Sequence, residues 1–253
     1  MSTFLKKRRI WVITGVLLLF GLVSLWSHFH YRDYASRPVP PELAKQKFDT
    51  SALRADLDYL LQTFEEVHPD LYAYTSREDI LALKNQLVSS LNREMTRKEF
   101  YPIVARMAAA FGDGHTGVGM PREEIRLFNQ EGGKWFPFTA FAIHHPGLQV
   151  RTSLKEDSPV GTGDWILSIN GHPVDSLHTV FGRQVSAETE HRRAYRVRSA
   201  FRYHLWLNGI EAPFTLQWHR ADSTEIHTTT VEGITEEEIR QFYSQKDTAS
   251  TDS

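Results

Sequence analysis

The stretch AAAFGDGHTGVG, Ala108 to Gly119, gathers residue types suited to chemistry. Gly112, Gly114 and Gly117 spell G-x-G-x-x-G, while His115 follows Asp113 by two residues and directly precedes Thr116. Three kinds of chemistry can be asked of it. Dinucleotide binding needs this glycine spacing between a strand and a following helix, so that the helix N-terminus faces the pyrophosphate. Here a helical pattern comes first and ends near Phe111, so Gly112 sits where a C-terminal cap wants positive φ. A metal centre needs three or four converging ligands. His115 has Asp113 beside it but no H-x-x-x-H partner, and the adjacent His144 and His145 would point to opposite sides of a strand, so no metal site and no cofactor is expected. Acid–base chemistry remains: a glycine-rich loop can hold an imidazole at a cleft while the ring exchanges a proton near neutral pH. The competing reading is a helix stop with an incidental histidine. Other histidines, including His68, His178 and His204, are read as surface or interface residues.

Composition narrows the field. Hydrophobic residues make up 41% of the 253 and aromatics 12%, enough for a real core. With no cysteine in the chain, disulfides, thiol catalysis and cysteine-ligated zinc are excluded. Net charge is −2 even with the early KKRR run included, so the remainder is mildly acidic. That argues against a nucleic-acid partner, whose phosphates need a concentrated basic face.

The elements that would position the loop emerge from periodicity. From Asp49, the residues Leu53, Leu57, Leu60, Leu61, Phe64 and Val67 fall on one helical face, which His68-Pro69 ends. Ser76 and Asp79 open a second helix with Ile80, Leu83, Leu87 and Leu91. Thr96 and Glu99 open a third, through Phe100, Ile103, Val104, Met107 and Phe111; both pairs have capping-box spacing. After Gly132-Gly133 the pattern turns to short β-like runs, WFPFTAFAI, LQVRTSL, DWILSI, FTLQWH and EIHTTTVE, separated by turns at Gly161–Gly163 and Asn170-Gly171. A helix-like insertion, roughly 176–208, interrupts them. The fold class expected is α+β: an N-terminal transmembrane helix, a small three-helix subdomain, then a mostly antiparallel β domain with a helical insertion.

At the N-terminus, Lys6 to Arg9 precede IWVITGVLLLFGLVSLW, seventeen uncharged residues from Ile10 to Trp26. This is near the short limit for crossing a hydrocarbon core about 30 Å thick. The basic flank predicts a cytoplasmic N-terminus and places the bulk of the chain outside. SLWSHFH offers no small-residue cleavage site, so an uncleaved single-pass anchor over 1–30 is expected, with a cleaved signal peptide as the alternative. Residues 31–48, with Pro38, Pro40 and Pro41, read as a stiff linker. Residues 49–130 form the helical subdomain, 131–235 the β domain, and 236–253 a polar, frayed tail.

FGDGHTGVG, preceded by DLDYLLQTFEEVHPDLY, resembles the N-terminal part of the tail-specific (C-terminal-processing) and tricorn-like serine proteases. In that family a helical portion ends in a D-x-H-T or D-x-H-S loop, and a PDZ-like domain and a larger catalytic portion come after it. SPVGTGDWILSINGHPVDSL, Ser158 to Leu177, is similar to the G-x-G-D…N-G stretch of such a PDZ domain. The resemblance covers roughly 50–235. It implies that His115 is the general base for a catalytic serine, with Asp113 and Thr116 supporting the loop. In the branch that uses a serine–lysine pair, the matching histidine is not the base. Together with the anchor, the resemblance points to the bacterial periplasm.

The match breaks at the nucleophile. The family's serine lies beyond the PDZ-like domain, and no G-x-S-x-G or S-x-x-K occurs in the chain. Ser186, in VSAE, lies far from where the family places its serine and is not expected to be catalytic. A histidine without its serine gives no nucleophilic catalysis. Two readings stay open. Either the chain is the N-terminal half of a protease whose serine comes from elsewhere, even from a separate polypeptide, and is inactive alone. Or it is a stand-alone PDZ-like adaptor capturing peptide or protein C-termini by strand addition. For the second, Gly132 and Gly133 are candidates to hold a terminal carboxylate, beside Trp135, Phe136 and Phe138; an ordinary turn and core strand is the plainer reading. Arg192, Arg193, Arg196, Arg198 and Arg202 read as a solvated helix face balanced by Glu188 and Glu190.

Overall fold

The computed structural model describes residues 40–144 and 147–251. It is α+β, with several helices and a multi-stranded antiparallel sheet. Its first part is helical: α1 (Pro41–Lys45), β1 (Lys47–Phe48), α2 (Thr50–Val67), α3 (Arg77–Ser90), β2 (Met95–Thr96), α4 (Arg97–Ala109) and α5 (Arg122–Gln130). The three long helices begin where side chains can receive their orphaned N–H groups. Asp49 accepts from the Ser51 and Ala52 N–H groups, and Ser76 from that of Asp79. Thr96 and Glu99 form a complete capping box. The stripes Leu53, Leu57, Leu61 and Ile80, Leu87 then close on Phe100, Met107 and Phe111 as one core.

The second part runs β3 (Phe138–His144), β4 (Gly147–Ser153), β5 (Trp165–Ile169), β6 (His172–Pro173), α6 (Val174–Gly182), α7 (Glu190–Ser199), α8 (Phe201–Leu207), β7 (Phe214–His219), β8 (His227–Val231) and α9 (Glu236–Thr251). The sheet order is β3-β4-β5-β7-β8, with β6 pairing β5, and every pairing is antiparallel. Asn170 (φ 48°) and Gly171 (φ 80°) both take the left-handed region, as the tight turn joining β5 to β6 requires. The expected helical insertion is three helices, with a non-helical segment at 183–189 between α6 and α7. α6 and α7 cover the sheet, so Phe181 and Val197 share a core with Ile166, Leu216 and Phe214.

A third cluster joins the two parts. Trp135 lies between Tyr203 and Trp206 of α8 and Phe128 of α5, with ring centroids 4.6–5.7 Å apart. Tyr101 and Ala105 of α4 and Ile239 of α9 pack into it. The described residues from Pro41 onward accordingly form one compact unit.

Three expectations need correction. Part of the supposed linker is built into the fold: Ala44 is buried, and Lys47–Phe48 pairs with Met95–Thr96. The supposed frayed tail is α9, because Thr235 and Glu238 cap it reciprocally and Ile239 is buried on the seam. The single-pass membrane placement is overturned: among the described residues, no helix is long and apolar enough to cross a membrane. The apolar run 10–26 on which that placement rested lies outside the described residues.

Trp135 is 1% exposed and joins both parts. Trp135→Ala is expected to cost about 3–5 kcal/mol through lost burial and the cavity left behind. Urea unfolding should show this as a lower midpoint with both parts melting together.

Candidate active site

The loop after α4 starts with a backbone constraint. Gly112 has φ +73°, and a Cβ there would lie 3.2 Å from Tyr74 Cβ, so only glycine turns the chain here without strain. Its N–H bonds the Ala109 carbonyl, which ends the helix. The glycine-rich stretch is therefore a helix stop, and no helix starts behind it until Arg122.

Asp113 then organises the next three residues. One carboxylate oxygen receives the His115 backbone N–H at 3.0 Å and faces His115 Nδ1 at 3.1 Å. The other accepts from the Thr116 hydroxyl at 2.8 Å and meets His68 Nε2 at 2.9 Å. His68 Nδ1 accepts the Asp70 N–H at 3.1 Å, so the proton of a neutral His68 ring sits on Nε2 and is donated to Asp113. Four donors hold the Asp113 carboxyl far below the usual carboxylate range; the His115 backbone N–H is the largest cause, followed by His68. Asp113 is thus a fixed anion at neutral pH.

That anion sets the state of His115. A carboxylate at Nδ1 selects the tautomer with its proton there and leaves Nε2 as the basic nitrogen. Asp113 is 13% exposed, whereas the His115 side chain is 87% exposed. Glu188 adds a second carboxylate 3.7 Å from Nδ1. It comes from the 183–189 segment, which Arg196 of α7 ties to the loop by donating to the carbonyls of both Gly114 and Ser186.

The structure ties His115 and Thr116 to Asp113 by hydrogen bonds and places three further residues beside them. His68, by sequence a surface histidine whose Pro69 neighbour signals only a helix end, is the first. Ser186, by sequence far from any centre, is the second: its hydroxyl lies where a Cβ on Gly117 would be 3.5 Å away, and it lines a cavity with His115. Glu188, by sequence a partner for nearby arginines, is the third. The sequence carries no sign of these contacts, since they close over long separations. Asp113, His115 and Glu188 also offer ligand atoms all within 4.8 Å of one another, a set that could hold a cation and that a search for H-x-x-x-H spacing does not detect. Such an ion would compete with the hydrogen bonds Asp113 already accepts.

The five candidate peptide-binding residues lie elsewhere. Gly132 (φ +75°) and Gly133 end α5, their N–H groups bonding the Asn129 and Phe128 carbonyls at 3.2 and 2.7 Å. Neither is free to hold a carboxylate. Trp135 fills the seam, and Phe136 and Phe138 are buried in the sheet core. The groove assigned to these five residues is corrected to a helix cap and core.

The chain matches no protein-family model and no curated protein. Among solved structures it is similar to a serine-to-alanine mutant of CPAF, at TM-score 0.49 and 16% identity. It is also similar to mature CPAF complexed with lactacystin, at 0.48 and 15%, and to mature CPAF, at 0.44 and 14%. In each case 72% of this chain is covered, and the chain spans 34% of the CPAF chain. CPAF is a chlamydial serine protease, and the resemblance to it is coarse and partial.

Asp113 supplies the pH-sensitive part of this architecture. A depressed carboxyl stabilises the fold fully above its ordinary pKa of 3.8, and that contribution fades as pH falls toward the folded value. Asp113→Asn should be less stable than the parent chain at pH 6–7. In urea melts at falling pH, the gap between the two midpoints should start to narrow near pH 4.

Proposed function

We propose that His115 is the general base of a serine-type peptidase centre and that this chain forms the N-terminal half of that enzyme. The observation that carries the proposal is the Asp113 carboxylate at His115 Nδ1, backed by Glu188, which leaves an exposed Nε2 free to take a proton. The resemblance of FGDGHTGVG to the histidine loop of tail-specific and tricorn-like proteases supports the same role. Asp113 corresponds in function to the orienting acid of a triad, itself anchored by His68 and Thr116.

The nucleophile is proposed to come from residues outside this sequence. Among the described residues, no serine hydroxyl hydrogen-bonds to His115, and none of the chain's serines stands in a recognised nucleophile motif. Alone, the chain should hold a base with nothing to activate. Among the described residues β3 pairs with β4 alone, and this sheet edge supports a second reading, a PDZ-like module that takes up a peptide end by strand addition. In an enzyme the two roles are compatible, with the sheet feeding substrate to His115.

The test uses the protein isolated from its source together with any copurifying chains, labelled with a fluorophosphonate that reacts with activated serines. One labelled serine, mapping outside the present 253 residues, is expected. His115→Gln should slow labelling and peptide hydrolysis by about 10²–10⁴-fold, the range for loss of a general base. Labelling indifferent to His115→Gln would overturn the assignment. Peptide capture without any labelled serine would favour the binding module.

A further inference from the structure

Two carboxylates reach one nitrogen of His115 from different parts of the chain. Asp113 Oδ1, on the loop itself, lies 3.1 Å from Nδ1, and Glu188 Oε1, on the 183–189 segment, lies 3.7 Å from it. The three donor atoms all fall within 4.8 Å of one another. A zinc ion with bonds of about 2.0–2.1 Å to tetrahedrally placed ligands holds those ligands about 3.4 Å apart. The two measured separations straddle that spacing. Gly114 makes the approach possible: a Cβ there would sit 3.3 Å from Glu188 Oε1, so a larger residue would press on the carboxylate. The His115 and Glu188 side chains are 87% and 34% exposed, which lets an ion reach them from solvent.

Charge favours a cation at this point. Among the described residues Glu188 pairs with no lysine or arginine. Arg196 is engaged by the Gly114 and Ser186 carbonyls, and Arg193 by Glu190. An ion would displace a single hydrogen bond of Asp113: Oδ1 keeps the His115 backbone N–H, Oδ2 keeps Thr116 and His68, and only the contact with Nδ1 is exchanged. One imidazole and two carboxylates suit zinc or a similar transition ion, whereas calcium and magnesium take oxygen ligands. Binding there would reverse the ring. The ion needs the Nδ1 lone pair, so the single proton of the neutral imidazole moves to Nε2. Nε2 then has no lone pair with which to take a proton from a nucleophile. We propose that Asp113, His115 and Glu188 form an inhibitory site for zinc or a similar divalent transition ion, which fixes the unreactive tautomer of the base. The neutral ring neither gains nor loses a proton; its proton changes nitrogen. The inhibition rests on His115 as the base, while the ion site does not.

The test is binding resolved at one ring. The full chain, labelled with ¹⁵N-histidine and stripped with EDTA, is titrated with zinc, and the His115 resonances are identified by their loss in His115→Gln. Nδ1 should begin as the protonated nitrogen and Nε2 as the unprotonated one, and zinc should exchange the two signatures. Glu188→Gln, a change at a partly exposed side chain that adds no bulk, should weaken zinc at this ring about tenfold or more, since even outer partners of a metal site are worth about 10–100-fold. Magnesium and calcium should leave the ring signals unmoved. Zinc that does not move the His115 nitrogens, zinc bound equally well by Glu188→Gln, or magnesium that moves them as strongly would each overturn the site. The parent-chain spectra decide it even if the variant fails to fold. Inhibition is read separately: on the protein isolated with its copurifying chains, zinc should slow fluorophosphonate labelling and EDTA should restore it. Exchanged ring signatures with labelling that needs His115 yet ignores zinc would overturn the inhibition. The same signatures with labelling indifferent to His115→Gln would overturn the base and leave the ion site.

Discussion

The aromatic packing around Trp135 is the constraint on which the rest depends. The histidine loop belongs to the helical part, while Ser186, Glu188 and His204 belong to the part built on the sheet. No single element carries them all. The edge-to-face contacts of Trp135 with Phe128, Tyr203 and Trp206, with Tyr101 alongside, clamp α4, α5 and α8 together. Such pairs add to area burial only when ring geometry is held. The seam therefore sets the distance across the cavity, and the Arg196 bridge refines it.

Within that frame, electrostatics acts at short range. Asp113 is not a free surface carboxylate; its four donors hold it ionised and oriented. It can then dictate the tautomer of a far more exposed imidazole. Glu188 reinforces the effect from the other side of the cleft, although an exposed pair at 3.7 Å contributes little energy by itself. Its value is one of direction: both carboxylates face Nδ1, leaving Nε2 as the nitrogen that reacts.

The features legible in the sequence are local ones. Asp49, Ser76 and Thr96 announce their helices because a cap needs only residues two or three apart. Asn170-Gly171 announces its turn because few other pairs accept two left-handed residues in a row. Gly112 can be recognised as a stop because a helix precedes it. The same logic could have found α9, since Thr235 and Glu238 have the spacing of Thr96 and Glu99; the polarity of SQKDTASTDS masks it. The pairing of His68 with Asp113, 45 residues apart, is implied by no periodicity, nor is the arrival of the 183–189 segment at the loop. Gly132 and Gly133 show the opposite error: a local pattern suited to carboxylate binding whose N–H groups the α5 terminus already uses.

The bridge from Arg196 to the Gly114 carbonyl, 82 residues away in the chain, has a kinetic consequence. Contacts over such separations must overcome the entropy of closing a long loop, so they form after the local helices and hairpins. The histidine would then spend the early stages of folding on a finished helix end with no carboxylate from across the cleft. Competence would be among the last properties the molecule acquires, and an excised helical part would keep the imidazole and Asp113 while losing Glu188 and the Arg196 bridge.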